Sequence, residues 1–174
     1  MSSGDGAAYD SAMPTANDLL AHSLSASRMM VNRFIEDLTP AEYLHRPCAG
    51  GNCAAWIVGH LVMSDRSLLG RVGVTELPAL PEGFEKRFAR DETAPKASEY
   101  GDVGVLGPLF NRHRDLLIER VKKMPAEALD AALPKPHPMF ATVGEMVNFM
   151  GAHVAMHAGQ LTVIRRTLGR PPMI

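Results

Sequence analysis

Apolar residues recur every three or four positions along most of the chain, which is the spacing of one face of an α-helix. The first run covers residues 15–38, and three further runs cover residues 53–73, 100–124 and 141–169. Strict alternation of apolar and polar residues, the pattern of a strand, is almost absent. The chain therefore predicts an all-α fold, a four-helix bundle.

Residues typical of helix ends mark several of these boundaries. Asn52 is placed to cap the second long helix. Two capping boxes pair a threonine with a glutamate three residues later, Thr39 with Glu42 and Thr142 with Glu145. The first box predicts a short helix after the first long one, and the second box opens the fourth long helix.

The segments outside these helices suggest how the chain is organised. Residues 1–13 are rich in Gly, Ser and Ala and predict a disordered N-terminal tail, so that residues 14–170 form the domain. Residues 74–95, rich in Pro, Gly and charge, predict a long loop between the second and third long helices, with one helical turn in it. Loops of this length inside a compact domain are often functional.

The two halves of the chain share an order of features. "LTPAEYL", a loop and "WIVGHLVMS" parallel "KMPAEAL", a longer loop and "NFMGAHVAMH". Each half contains a long helix, a Pro-Ala-Glu turn, a loop and a helix that bears histidine. The parallel suggests an internal repeat of two helix pairs.

Composition and charge narrow the classes of function. The chain has 174 residues, of which 46% are hydrophobic and 21% charged, as in a globular domain. A formal net charge of -1 provides no surplus of positive charge for a phosphate backbone, which disfavours nucleic-acid binding. No apolar run approaches the roughly 18 residues of a membrane span, and no signal-peptide pattern is present. With only two cysteines, a cytoplasmic location is expected.

The stretch "GAHVAMHAGQ" places His153 and His157 four residues apart on one helical face. Cβ atoms at this spacing lie about 5–6 Å apart, which allows one metal ion to bind both imidazoles through bonds of roughly 2.0–2.1 Å. The alternative is that one histidine bonds a buried carbonyl while the other reaches solvent. The pair alone leaves both interpretations open.

A third histidine favours the metal interpretation. His60 lies on the second long helix, on a face shared with Trp56 that is expected to point inward. Three nitrogen ligands from two facing helices would leave coordination positions open, as in catalytic rather than structural zinc sites. His22, His45 and His137 have no matching partner in the pattern and are not assigned to the site. His113 lies on the apolar stripe of the third long helix, where it either supports the metal ligands or is a core residue, and it is not assigned either.

Other polar residues near the three histidines are weaker candidates. Ser64 lies one turn after His60 and Gln160 three residues after His157, so either side chain can reach towards the site and orient a ligand. Asp65 is a still weaker candidate for supporting the ligands. Arg165 and Arg166 are better explained as a basic last turn that the helix dipole favours.

The two cysteines do not form a metal motif. Cys48 and Cys53 are spaced CxxxxC and lack the second cysteine pair of a zinc ribbon. Cys53 falls in the first turn of the second long helix, which is one of the positions where reactive cysteines occur. The simpler interpretation is a small buried residue.

The segments "NCAAWIVGHLVMSDRSLLG" and "GAHVAMHAGQLTVIRRTLG" resemble the DinB-like superfamily of damage-inducible and YfiT-type proteins, over residues 15–169. The resemblance implies a metal triad of one histidine from the second helix and two from the fourth, here His60, His153 and His157. It implies zinc or nickel as the metal, and a homodimer.

Some members of that superfamily are thiol-dependent S-transferases that use bacillithiol or mycothiol. The resemblance thus implies a metal-dependent enzyme that acts on a small molecule, as a thiol S-transferase or a hydrolase. A low-molecular-weight thiol is then an expected partner. The alternative is a non-catalytic metal- or ligand-binding stress-response module.

Overall fold

A computed structural model describes residues 13–89, 95–133 and 135–171. Over these ranges the chain forms seven α-helices and no β-strand, apart from one isolated antiparallel bridge between Ala132 and Thr142. The helices are α1 (Ala16–Ile35), α2 (Pro40–Tyr43), α3 (Ala54–Arg71), α4 (Phe84–Arg87), α5 (Leu106–Lys123), α6 (Glu127–Asp130) and α7 (Val143–Thr167). The predicted all-α fold is confirmed. The predicted tail, apart from Met13, lies outside the described residues.

The four long helices pack side by side around two groups of buried apolar residues. α1 and α3 each pack against both α5 and α7. One group joins the C-terminal parts of α1 and α7 to the N-terminal parts of α3 and α5, and the second group joins the opposite ends. Therefore α1 and α7 run in one direction, and α3 and α5 run in the other.

These helix directions account for the long connection between α3 and α5. Because the two neighbours are parallel, the chain must return along the length of α3, about 27 Å for its 18 residues. Residues 72–105 make this return through α4 and two 3₁₀ turns, Ala97–Glu99 and Val103–Val105. The helical turn predicted within residues 74–95 is α4, while residues 90–94 of that prediction lie outside the described ranges.

The third long helix begins later than predicted, at Leu106 rather than at residue 100. Two local features hold the preceding segment in tighter turns. The carboxylate of Asp102 accepts a hydrogen bond from the backbone N–H of Gly104, and Gly101 adopts a φ of 69° that interrupts a right-handed helix.

Other helix ends show what capping patterns do and do not predict. Both predicted capping boxes, at Thr39 and Thr142, are formed. The predicted cap at Asn52 is wrong, because Cys53 occupies the N-cap position of α3 and makes no side-chain capping bond. Cys53 itself is fully buried, as the simpler interpretation of this residue required. The internal repeat stays a prediction.

None of the described helices is both long enough and apolar enough to cross a membrane.

Candidate metal centre

Three imidazoles converge where α3 faces α7. His60 lies in the second turn of α3, and His153 and His157 lie on successive turns of α7. Nε2 of His153 is 3.4 Å from Nε2 of His60 and 3.1 Å from Nε2 of His157. The ligand atoms of all three residues lie within 4.8 Å of one another. The structure therefore brings together the three histidines singled out in the sequence.

Two of the three separations between these nitrogens, 3.4 and 3.1 Å, are close to those around one metal ion. Ligands bound tetrahedrally at about 2.0–2.1 Å are separated by roughly 3.3–3.4 Å. Hydrogen bonding between the rings explains the convergence less well, because an imidazole nitrogen has one lone pair and His153 Nε2 can accept from only one neighbour. A divalent ion is a better match, since it accepts all three lone pairs at once.

Neighbouring side chains fix the orientation of the imidazoles. The Oε1 atom of Gln160 lies 2.9 Å from Nδ1 of His157, the nitrogen that points away from the cluster. The Trp56 ring stacks on His60, with centroids 4.9 Å apart and planes 5° from parallel. Phe149 stacks on His153 at 5.8 Å. His60 and His157 are only 8% and 5% exposed, so these contacts hold the rings in a largely dry site.

The three polar candidates from the sequence occupy different places. Gln160 contacts His157 directly, on its outer nitrogen. Ser64 lines the adjacent cavity and donates its hydroxyl hydrogen bond to the backbone carbonyl of His60, at 2.9 Å. Asp65 is fully buried in a bidentate ion pair with Arg114, at 2.8 and 2.7 Å, and this pairing accounts for its carboxylate.

The Asp65–Arg114 pair joins α3 to α5. Burial raises the pKa of Asp65 to about 6, and the Arg114 guanidinium opposes that rise. His113, beside Arg114 on α5, is also fully buried, and its Nδ1 donates to the carbonyl of Leu109 at 2.9 Å. Burial lowers the pKa of His113. His113 is thus a core histidine of the α3–α5 interface.

Arg165 lies in the basic last turn of α7, as predicted, but its side chain is not exposed to solvent. Arg165 is 2% exposed and donates to the carbonyl of Phe34 and the carboxylate of Asp37. Arg170 bonds the same carboxylate and that of Glu42, which ties the end of α7 to α1 and α2. Arg166 is exposed, as expected of a basic last turn.

A cavity of about 680 Å³ opens beside His60 and His153. Its walls are mainly thioether and aromatic groups contributed by α3, α7, the α3–α5 connection and the segment before α7. These residues are Met63, Phe88, Met139, Phe140, Met146, Phe149, Met150 and Met156. Methionine side chains are flexible and polarizable, so such walls adapt to varied apolar ligands.

Sequence reasoning did not assign four polar residues of this cavity, Ser67, Arg71, Glu85 and His137. His137 lies in a Pro-rich loop, where no periodicity indicates which way a side chain points. Its Nδ1 accepts a hydrogen bond from the backbone N–H of Met139, and its ring stacks on Phe140 at 4.6 Å. Arg71 continues the α3 face of His60, a signal that was available in the sequence.

Glycines just before the histidines allow close packing around the site. A Cβ atom on Gly59 would lie 2.2 Å from the ring of Phe88, which closes the α3–α5 connection over α3. A Cβ atom on Gly151 would lie 2.3 Å from Oγ of Ser23, where α7 meets α1. Real Cβ atoms do not approach other atoms this closely, so the packing of Phe88 requires glycine at position 59, whereas at position 151 rotation of the Ser23 hydroxyl would relieve the contact.

Comparison with known proteins places this geometry in a family. The sequence model of a protein family, described as the DinB superfamily, matches residues 23–161. The match covers more than half of the chain and includes all three histidines. No curated protein and no solved structure gives a significant match. Together with the helical fold, the match confirms the resemblance seen in the sequence. The chain belongs to the DinB superfamily.

Proposed function

We propose that the protein is a divalent-metal-dependent enzyme whose metal, zinc or nickel, is held by His60, His153 and His157. The observation that carries the proposal is the convergence of three Nε2 atoms beside an apolar cavity of about 680 Å³. Three protein ligands leave coordination positions open, and an open position distinguishes catalytic from structural metal sites.

The bound ion would supply a positive charge that favours a thiolate or a hydroxide at neutral pH. The chain's own residues would orient the metal ligands and form the substrate cavity. Gln160 holds His157 in one orientation, Trp56 holds His60, and the Met and Phe walls keep water from an apolar substrate. In S-transfer, the sulfur of a small thiol would bond to an electrophilic carbon while the leaving group departs with the bonding electrons.

The proposed binding partners are the substrates that this metal-dependent chemistry requires. The substrate is a small organic molecule, with a low-molecular-weight thiol as the co-substrate of S-transfer, and hydrolysis is the second reaction. The formal net charge of -1 supports a small molecule over nucleic acid. We also propose that the protein is a homodimer and that it is located in the cytoplasm. Light scattering on the purified protein measures its oligomeric state.

An activity screen with matched histidine variants tests the proposal. The protein is loaded with Zn²⁺ or Ni²⁺ and assayed with a small thiol and a chlorinated arene, and separately with a panel of esters. His153→Ala should abolish turnover, whereas His22→Ala, the same change at an exposed site on α1, should leave it intact. Metal binding without turnover of any substrate would instead favour a non-catalytic binding module.

A further inference from the structure

One cation lines the cavity at a distance from the histidines. Arg71 lies on the same face of α3 as His60, Met63 and Ser67, all of which line the cavity. Among the described residues, no carboxylate lies within ion-pair distance of Arg71, and its guanidinium makes no side-chain hydrogen bond. Glu85 lines the same cavity, but its carboxylate is 3.8 Å from Arg66, which opposes its negative charge. The cavity thus keeps an uncompensated positive charge.

We infer that the cavity binds an elongated organic anion, its charged end on Arg71 and its uncharged end at the three histidines. The inference rests on the proposed function, because it names the substrate class of that site. A guanidinium stays protonated at any physiological pH and pairs with carboxylates through two parallel hydrogen bonds. A carboxylate is therefore a suitable anion for a test of binding to Arg71.

The length of the ligand follows from helix geometry. His60 and Arg71 are eleven residues apart on α3, about 16 Å along the helix axis. A ligand that reaches both must be extended. Between the two ends, the walls offer five methionines and three phenylalanines, which match an alkyl or aryl body rather than a polar one.

Calorimetric titrations with decanoate, decan-1-ol and acetate separate the contributions of charge and length. The wild-type protein is expected to bind decanoate at least about tenfold more tightly than decan-1-ol, since an ion pair is lost with the alcohol. Acetate is expected to bind far more weakly than decanoate, because it does not fill the apolar walls. Equal binding of decanoate and decan-1-ol, or no binding of decanoate, would overturn the inference.

Arg71→Gln should weaken decanoate binding about tenfold and leave decan-1-ol binding unchanged, which also shows that the cavity is intact. Arg71→Lys should keep the preference for decanoate. Arg112→Gln, which removes the same charge at an exposed position on α5, is the control and should change nothing. Unchanged decanoate affinity in Arg71→Gln would overturn the inference.

Titrations of both metal-loaded and chelator-treated protein distinguish this inference from the proposed function. Decanoate affinity that depends on the metal but not on Arg71 would put the carboxylate at the histidines and contradict the inference. A protein that binds no metal, yet binds decanoate through Arg71, would contradict the enzyme proposal and leave the anion site standing.

Discussion

The amide oxygen of Gln160 lies 2.9 Å from Nδ1 of His157, one turn earlier on α7. An amide oxygen only accepts, so Nδ1 carries the proton and the lone pair of Nε2 faces the other two histidines. A single hydrogen bond along one helix thus prepares His157 to bind a metal ion.

Gln160→Ala is expected to weaken metal binding by about 10- to 100-fold, the usual effect of removing the group that orients a metal-binding histidine. Gln160→Glu should restore the affinity, because a carboxylate oxygen accepts the same hydrogen bond. Competition with a chromophoric chelator measures both. If Gln160→Ala binds metal as tightly as the wild-type protein, the hydrogen bond has no role in the site.

Gly59→Ala is expected to destabilise the protein by about 1–3 kcal/mol, because the added methyl group overlaps the ring of Phe88. Denaturant unfolding measures the loss. The double variant with Phe88→Ala should cost less than the sum of the single variants, since the smaller side chain removes the overlap. Additive effects would show that Phe88 does not pack on Gly59 in solution.

Asp65→Asn should cost about 3–5 kcal/mol of the free energy of unfolding, because it leaves the Arg114 charge buried without its partner. Replacement of both residues, as Asp65→Leu with Arg114→Met, should recover most of that loss. Urea unfolding of the wild-type protein, Asp65→Asn and the double variant makes the comparison. A single variant as stable as the wild-type protein would contradict a buried, paired arginine.

Stability should fall below about pH 6.5 partly because of His113. Burial lowers its pKa in the folded protein below the ordinary value of 6.5, so the unfolded chain binds the proton more strongly. The contribution of His113 to stability is therefore present above pH 6.5 and is lost as pH falls through the lower, folded value. Unfolding measured from pH 8 to pH 5 should show a shallower decline for His113→Leu than for the wild-type protein. Identical pH profiles would contradict this assignment.

The sequence pattern predicted the helices and the histidines because both repeat at the period of an α-helix. His153 and His157 share a face at i and i+4, and His60 lies on a similar inward face. Helical periodicity predicts which face of a helix is buried. It does not predict which other helix packs against that face, so the pairing of Asp65 with Arg114, 49 residues apart, was not predicted.

The cavity could not be predicted from the sequence for the same reason. Its walls come from four separate parts of the chain, and Phe88 and His137 lie in segments without helical periodicity. Arg165 lies in the predicted basic last turn of α7, but the burial of its side chain was not predicted. A basic residue in a last turn is ordinarily solvated, but here Asp37 at the end of α1 pairs with it and makes its burial favourable.

Metal content combined with X-ray absorption tests the central claim most directly. One Zn²⁺ or Ni²⁺ should bind per chain, with imidazole nitrogens at about 2.0–2.1 Å from the metal. His60→Ala, His153→Ala and His157→Ala should each lose the ion, and His22→Ala should keep it. Stoichiometry well below one, or metal retained by all three site variants, would contradict a metal centre built from these histidines.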